Sequence, residues 1–386
     1  MIEEDPVDRQ VPLVDLRAAY AAQRPAIDAA LAEVLTGANL VMGPQVAEFE
    51  AAFARFCGTA RAVGVASGTA ALHLGLLALG VGPGDDVLTV PHTFAATAEA
   101  IVHAGARPRL VDVDDATGGM DPAALAGALG GAARAAAIVP VHLYGLPADM
   151  GAILRLAADA GLPVLEDAAQ AHGAAAALGA GTPPRPAGSL GALGAFSFYP
   201  AKNLGALGDA GAVVTDDPAL ADRVARLRDH GRAAKHDHAE VGYGERLDTL
   251  QAAVLLVRLA RLEGANAARS RLAGRYDRLL AGAGDLRLPA RPAGRRPAWH
   301  LYVVRTARRD ALAAHLRARG IATGVHYPVP LHLQPAFAHL GYARGDFPVA
   351  EAWAARCLSL PLYPELTPAR QDRVAAAVHD FFGAGG

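Results

Sequence analysis

The sequence contains little cysteine, little lysine and no long uninterrupted apolar segment. Its two cysteines, Cys57 and Cys357, lie far apart and belong to no ligand-spaced cluster, so we expect neither a metal site nor a disulfide framework. No run approaches the ~18 apolar residues that a membrane helix requires. The acidic start of the chain lacks the charged-then-apolar pattern of a signal peptide. We therefore expect a protein without a membrane span, located in the cytoplasm.

A strong excess of either charge is also absent. The formal net charge of −2 provides no broad positive field, which argues against nucleic acid as the main partner. Hydrophobic residues make up 52% of the 386 residues, a fraction typical of a globular protein with a large core. The chain is long enough for an enzyme.

What the sequence does contain is a repeated alternation of short apolar strands and helices. These units follow one another from residue 62 to residue 165, and strands are predicted again at 194–198 and 212–215. Such a pattern predicts an α/β fold with a mostly parallel sheet covered by helices, whose ligands bind at the carboxyl ends of the strands. Neither a P-loop nor an early Gly-x-Gly-x-x-Gly fingerprint occurs, which disfavours nucleoside triphosphatases and nicotinamide-dependent enzymes.

Composition and pattern divide the chain into three segments. We predict an N-terminal segment (1–40), a large domain (41–250), and a long linking helix followed by a smaller C-terminal α+β domain (251–386). The helical pattern extends from Arg246 to about Leu280. Its apolar residues are too dense for a helix with one buried side, so we expect it at the junction between the domains.

Three groups of polar residues follow strands of the predicted sheet. Ser67-Gly68-Thr69 lies between a strand and a helix, where free N–H groups and hydroxyls suit a phosphate, although Ser67 alone would also serve as an ordinary helix cap. Asp167 leaves a buried strand and needs a partner there, such as a turn N–H or a protonated ring nitrogen. Lys202 stands in apolar company, where a desolvated amine becomes a nucleophile, although a solvated lysine is the commoner case.

Together, the small-residue turn, the carboxylate and the lysine are the groups that pyridoxal phosphate (PLP) requires. Lys202 would form the Schiff base to the cofactor, and Asp167 would pair with the pyridinium nitrogen. Gly68 and Thr69 would bind the phosphate, and Phe94 would stack on the ring.

Two further segments carry polar side chains. Arg232 and Lys235 lie in a cationic loop that is either solvated or an arm that binds phosphates. His326, Tyr327 and His332 cluster in an extended loop near the C-terminus, where histidines in apolar company are more often structural than functional. We treat these five residues as candidate substrate-binding residues.

Several runs, in their order along the chain, resemble the DegT/DnrJ/EryC1/StrS sugar aminotransferase family. They are Ala66–Leu72, Pro91–Phe94, Glu166–Gln170, Phe196–Gly205, His326–Pro328 and Leu358–Pro361. The resemblance implies a fold-type I PLP-dependent transferase. It also implies a homodimer in which each active site is built at the subunit interface.

The resemblance further implies a role for each matching residue. Lys202 would bond to the cofactor and then move the proton, and Asp167 would be the pyridinium partner. The remaining cofactor contacts would come from Gln170 near the ring hydroxyl, Phe94 on the ring face, and Gly68, Thr69 and Ser197 at the phosphate. Dehydratases similar to this family have a histidine in place of the lysine, so Lys202 favours transamination.

The implied reaction moves an amino group from glutamate or glutamine to a keto sugar carried on a nucleoside diphosphate, with ping-pong kinetics. Its product would be an amino or deoxyamino sugar, for instance of an antibiotic. Two alternatives stay open: amination of a keto-cyclitol in an aminoglycoside-type pathway, and a PLP-binding regulator without turnover.

One position departs from the family pattern. The family usually has asparagine where this chain has Gly244, and that asparagine reaches the cofactor phosphate of the partner subunit. Glycine has no amide side chain, so its backbone N–H, Arg246 or the loop at 232–238 would have to replace this contact.

Overall fold

The computed structural model describes residues 10–131 and 134–383, in which strands and helices alternate along most of the chain. The α-helices are α1 (Leu16–Ala21), α2 (Arg24–Gly37), α3 (Pro44–Cys57), α4 (Gly68–Ala78), α5 (Ala96–His103), α6 (Pro122–Leu129), α7 (Met150–Asp159), α8 (Pro218–Arg228), α9 (Thr249–Leu259), α10 (Leu262–Leu279), α11 (Arg309–Ala318), α12 (Pro348–Arg356) and α13 (Pro368–Gly383). The strands are β1 (Arg61–Val65), β2 (Asp86–Thr89), β3 (Arg107–Leu110), β4 (Ala135–Ile138), β5 (Leu165–Asp167), β6 (Ala175–Ala176), β7 (Arg185–Pro186), β8 (Leu193–Ser197), β9 (Gly211–Thr215), β10 (Arg232–Ala234), β11 (Asp237–His238), β12 (Arg295–Arg296), β13 (Tyr302–Arg305) and β14 (Cys357–Leu360).

The central sheet consists of two ladders that are joined edge to edge. One has the strand order β1-β9-β8-β5 and the other β3-β2-β4. Parallel bridges from Ile138 to Val164 and from Val141 to Asp167 join β4 to β5. Only β9 runs against its neighbours in this sheet, as far as the described strands show. The predicted mostly parallel sheet is confirmed, and its parallel strands β5 and β8 end side by side at Asp167 and Ser197.

Local sequence specifies where several of these helices begin. Ser67 accepts a hydrogen bond from the backbone N–H of Ala70 and caps α4. Asp121 and Asp217 cap α6 and α8 in the same way, and each is followed by a proline at the first helical position.

Helices cover both faces of the sheet, and β8 shows how one strand supplies both cores. Successive side chains of a strand point to opposite faces. Leu193 and Ala195 accordingly belong to the apolar cluster that includes α4. Phe196 packs edge-on against Phe53 of α3, with ring centroids 5.0 Å apart. Helices therefore bury both faces of the sheet, and this packing on both sides holds the strand ends in place.

The single long helix predicted from Arg246 to about Leu280 is wrong, because the structure has two helices there. Helix α9 ends at Leu259 and α10 begins at Leu262. The interruption lets the two helices serve different cores: Leu255 packs in the cluster of α3, whereas Tyr276 packs in the C-terminal cluster. The dense apolar pattern reflects burial on more than one side of α9, which packs against both α2 and α3.

The C-terminal part of the chain forms the smaller α+β unit that the pattern indicated. Strand β13 pairs antiparallel with β14, and α11 and α13 pack beside this ladder. The division of the chain at residues 40 and 250 stays a prediction. Within residues 10–131 and 134–383, no helix combines the length and the apolar character needed to cross a membrane.

Candidate active site

A cavity of about 530 Å³ lies at the edge of the sheet where β5 and β8 end. Its wall brings together residues that are distant in sequence. All seven predicted cofactor-binding residues line it: Gly68, Thr69, Phe94, Asp167, Gln170, Ser197 and Lys202. Two of the candidate substrate-binding residues, His326 and Tyr327, line it as well.

The N-terminus of α4 forms one end of the cavity, where Gly68 lies very close to Ser197. A β-carbon added to Gly68 would lie 2.5 Å from the Cβ of Ser197. A side chain on Gly211 would likewise collide with the carbonyl oxygen of Ser67. Only residues without side chains allow the segments to approach so closely. The result is a small recess at a helix N-terminus, where hydroxyls and backbone N–H groups suit a phosphate.

Lys202 lies in a tight turn that directly follows β8. Its backbone N–H donates to the carbonyl oxygen of Tyr199 at 2.8 Å. The turn closes so tightly that a side chain on Gly205 would collide with the carbonyl oxygen of Pro200. The turn after β8 therefore holds the lysine backbone rigidly at the cavity wall.

The residue after the lysine attaches this turn to the C-terminal part of the chain. The amide nitrogen of Asn203 donates to Oδ1 of Asn266 at 2.9 Å and to the carbonyl oxygen of Ala298 at 2.8 Å. Asn266, on α10, in turn donates to the carbonyl oxygen of His172 at 2.7 Å. The position of Lys202 thus depends on residues nearly one hundred positions away.

Burial makes the ammonium group of Lys202 a stronger acid than that of an ordinary lysine. Desolvation lowers the pKa of Lys202 to about 8, and the nearby Asp167 carboxylate opposes this shift in part. An amine with this pKa is neutral often enough near neutral pH to act as a nucleophile or as a base.

Asp167 is held at the cavity wall by hydrogen bonds to both of its carboxylate oxygens. Thr97 Oγ1 donates to Oδ2 at 2.8 Å, and the backbone N–H of Ala169 donates to Oδ1 at 3.2 Å. Burial raises the pKa of Asp167, while the hydrogen bonds from Thr97 and Ala169 and the charge of Lys202 lower it. Sequence reasoning missed Thr97, although its spacing of four residues from Thr93 at the start of a predicted helix was a usable signal.

Gln170 is oriented by the backbone on one side and by a phenol on the other. Its Oε1 accepts the backbone N–H of Tyr144 at 2.7 Å, which leaves the amide nitrogen to donate to Tyr327 Oη at 3.3 Å. The rings of Tyr327 and Phe94 lie with centroids 5.6 Å apart. The three side chains form a connected part of the wall opposite the sheet.

Two histidines in the wall are neutral, and one of them was not singled out from the sequence. Burial, followed by the charge of Lys202, lowers the pKa of His326 and holds that of His300 well below the ordinary range. His326 Nδ1 lies 2.8 Å from Ser359 Oγ, whereas His300 Nδ1 is buried without a hydrogen-bond partner. These imidazoles shape the cavity without adding charge to it.

Glu166, the residue before Asp167, belongs to a separate hydrogen-bond system. His142 Nε2 donates to it at 2.8 Å, because His142 Nδ1 already accepts the backbone N–H of Ala148. Three further backbone N–H groups donate to its carboxylate, from Gly188, Leu190 and Gly191. Glu166 therefore stabilises the loop before β8 and does not face the cavity.

Three candidate substrate-binding residues lie outside the cavity wall of this chain. Arg232 and Lys235 are on the exposed hairpin of β10 and β11, where Arg232 pairs with Asp229 at 3.2 Å. His332 is buried and lies 3.0 Å from Oε1 of Glu351. Gly244 forms a bridge with Asp229 at the base of the same hairpin. The substrate roles of these residues stay predictions.

The residues of the cavity fit PLP. The recess at Gly68 admits a phosphate only because no side chain fills it, and the buried amine of Lys202 faces the same cavity as the buried carboxylate of Asp167. An α/β fold that holds a lysine, a carboxylate and a phosphate recess in this arrangement is that of a PLP-dependent enzyme.

Comparison with known proteins identifies the family. Residues 22–379 match the DegT/DnrJ/EryC1/StrS aminotransferase family, and the chain belongs to it. Members of this family use PLP, so the predicted cofactor, fold class and aminotransferase activity are confirmed.

Similar proteins include sugar transaminases from two bacteria. A dTDP-3-amino-3,4,6-trideoxy-alpha-D-glucose transaminase of Streptomyces venezuelae is 46% identical over 375 residues, covering 96% of each chain. A UDP-N-acetyl-3-dehydro-alpha-D-glucosamine 3-aminotransferase of Acidithiobacillus ferrooxidans is 44% identical, covering 95% of this chain and 97% of that protein. The crystal structure of DesV from S. venezuelae superimposes with a TM-score of 0.93 at 47% identity, covering 96% of this chain and 98% of that chain.

Proposed function

We propose that this aminotransferase moves an amino group from glutamate or glutamine to a keto sugar carried on a nucleoside diphosphate, in the cytoplasm. The observation that carries the proposal is the buried Lys202 amine, with a pKa of about 8, in one cavity with Asp167 and the Gly68 recess. Two relatives with 46% and 44% identity are named for aminating dTDP-linked and UDP-linked sugars, which supports a nucleotide-linked acceptor.

The cavity residues divide the task of holding the cofactor. Lys202 would bond to it covalently, and Asp167 would pair with its ring nitrogen. Gly68, Thr69 and Ser197 would bind the phosphate, while Phe94 and Gln170 would contact the ring. When bound, PLP supplies an electron-withdrawing ring that makes the hydrogen on the neighbouring substrate carbon acidic.

Lys202 would then move the proton in each half-reaction. With a pKa of about 8, roughly a tenth of the lysine side chains are neutral at pH 7, and only the neutral amine accepts a proton. The turn after β8 fixes the lysine backbone at the cavity wall, from which the side chain would carry the amine into the cavity.

The charges in the cavity point to a second subunit. Of the described residues that line it, Lys202 is the one lysine or arginine, while Asp167 and Asp209 are both acidic. A diphosphate and the carboxylates of the amino donor need more positive charge than this. We propose a homodimer in which Arg232 and Lys235 of a second copy supply that charge at the interface. Either the backbone N–H of Gly244 or the side chain of Arg246 would replace the asparagine that the family usually has at position 244.

The decisive experiment is spectroscopic. The purified protein should be yellow, and its absorbance should bleach when glutamate or glutamine is added. A panel of nucleotide-linked keto sugars and free keto-cyclitols, added to the bleached protein, should restore the colour with the nucleotide sugars. A colourless protein that gains no absorbance from PLP would overturn the proposal, and recovery with cyclitols alone would overturn the substrate class.

The hairpin of β10 and β11 (232–238), called the arm below, gives a second test of the acceptor. Neutralising it with Arg232→Gln and Lys235→Gln should raise the KM for the nucleotide sugar by roughly tenfold or more, since each lost charge-assisted hydrogen bond weakens binding. Arg317→Gln, an exposed arginine on α11, is the matched control and should have no effect. An unchanged KM in the arm variants would exclude the arm from substrate binding.

A further inference from the structure

We propose that Thr97 positions the Asp167 carboxylate toward the cofactor ring, and that Thr93 sets the direction in which the Thr97 hydroxyl donates. The inference rests on the proposed pairing of Asp167 with the ring nitrogen. It assigns positioning roles to two threonines, of which Thr97 contacts the carboxylate and Thr93 contacts Thr97.

The direction of the hydrogen bonds follows from counting protons. Thr97 Oγ1 lies 2.8 Å from Asp167 Oδ2 and 3.0 Å from Thr93 Oγ1. An ionised carboxylate has no hydrogen to give, so Thr97 must donate to Asp167. A hydroxyl has one hydrogen, and therefore Thr93 must donate to Thr97. The chain from Thr93 through Thr97 to Asp167 has a single direction as long as the carboxylate is ionised.

Burial favours this chain. Thr93 and Thr97 line the cavity but are only 3% and 1% exposed, so water competes little for their hydroxyls. Thr97 is the second residue of α5, whose N-terminal backbone dipoles also favour a negative charge nearby. Both features stabilise the ionised form of the carboxylate at this place.

The consequence for the cofactor concerns one shared proton. A carboxylate and a ring nitrogen that face each other hold one proton between them, and its place depends on which form is stabilised. Burial raises the pKa of Asp167, and the hydrogen bond from Thr97 offsets part of that rise. Thr97 would therefore favour the proton on the nitrogen, where it increases the electron-withdrawing power of the ring.

The test compares valine, which matches threonine in shape but lacks the hydroxyl, with serine, which keeps it. Thr97→Val should weaken PLP binding to the apoprotein by roughly tenfold or more, since a hydrogen bond to a charged group is lost. With ¹⁵N-labelled PLP, the ring nitrogen resonance should move toward the unprotonated position. Thr97→Ser should keep the PLP affinity within about threefold of that of the parent and leave the nitrogen resonance at the protonated position, and Thr93→Val should show the changes of Thr97→Val at smaller size.

Thr89→Val is the structural control, because Thr89 is equally buried but donates to the carbonyl oxygen of Val139 at 2.9 Å. It should leave PLP affinity and the nitrogen resonance unchanged. A protonated ring nitrogen and unchanged affinity in Thr97→Val would overturn the proposal, as would equal effects of Thr97→Val and Thr89→Val. Should Thr97→Val fail to fold, a Thr93→Val protein identical to the parent would overturn it instead.

Asp167→Asn separates this inference from the proposal on which it rests. If the ring nitrogen stays protonated in Asp167→Asn, the pairing of Asp167 with the nitrogen is wrong, and the role of Thr97 falls with it. If Asp167→Asn loses that proton while Thr97→Val keeps it, only the positioning role of Thr97 is overturned.

Discussion

Gly68 and Ser197 approach so closely that a β-carbon on the glycine would lie 2.5 Å from the β-carbon of the serine. Gly68→Ala must therefore push apart the start of α4 and the end of β8. We expect a loss of about 1–3 kcal/mol in the free energy of unfolding and a clear loss of PLP affinity, because the phosphate recess is distorted.

The control for this change is Gly127→Ala. Gly127 lies in α6 with no atom within 4 Å of an added β-carbon, so alanine there should be neutral or stabilise the helix by up to about 1 kcal/mol. Thermal unfolding and a PLP titration measure both proteins. Normal PLP affinity in Gly68→Ala would contradict the role of the recess.

The identity of the reactive lysine can be tested directly, because the chain has only two lysines, Lys202 and Lys235. Reduction of the PLP-loaded protein with borohydride, followed by peptide mass spectrometry, should place the label on Lys202. Lys202→Ala should still bind PLP without a covalent bond and should lose activity by roughly 10²-fold or more, since the proton has no carrier. Lys235→Arg, which keeps the charge, should take the label as the parent does. Full activity of Lys202→Ala would refute the assignment.

The lowered pKa of Lys202 predicts a particular pH dependence. Only the neutral amine bonds to PLP, and with a pKa of about 8 its fraction rises between about pH 7 and pH 9 and then levels off. The rate at which the apoprotein captures PLP should follow this curve. The rate for an ordinary lysine would keep rising up to about pH 11, and such a profile would show that burial does not act as the structure indicates.

Asp167→Asn tests the direction in which the Asp167 carboxylate shifts the pKa of Lys202. The Asp167 carboxylate raises the pKa of Lys202 against the effect of burial, so its removal should move the midpoint of the capture rate to lower pH. A midpoint that moves upward would show that the two groups do not interact as described.

Glu166→Gln should destabilise the fold. The Glu166 carboxylate accepts hydrogen bonds from His142 and from three backbone N–H groups, and an amide turns one of these acceptor oxygens into a donor. We expect a loss of about 3 kcal/mol in the free energy of unfolding by urea. Glu263→Gln, at an exposed position of α10, should change it by less than about 0.5 kcal/mol. Equal stability of both variants would mean that the Glu166 network contributes little.

The parts of the site that depend on local chain geometry can be predicted from the sequence. Gly68, Asp167 and Lys202 each lie at or just beyond the end of a buried strand, and parallel strands of one sheet end at a common edge, so their meeting was predictable. The contact of Thr97 with Asp167 spans 70 residues; the four-residue spacing of Thr93 and Thr97 marks these two as neighbours, but it does not indicate Asp167 as their partner. The break between α9 and α10 was hidden for a similar reason: Ala260 and Arg261 are good helix formers, and tertiary packing on two different cores decides the interruption. His300 escaped notice because its burial beside Lys202 depends on the packing of the C-terminal segment.

The hydrogen bonds of Asn203 to Asn266 and Ala298 have a consequence for dissecting the molecule. A fragment that ends near residue 250 would contain Lys202, Asp167 and Gly68, yet it would lack both anchors of the turn that presents the lysine. It would also lack His300, His326 and Tyr327, which close the cavity on its other side. The active site is therefore indivisible along the chain: its reactive residues lie within the first 202 positions, but its shape is complete only when the last third of the chain is present.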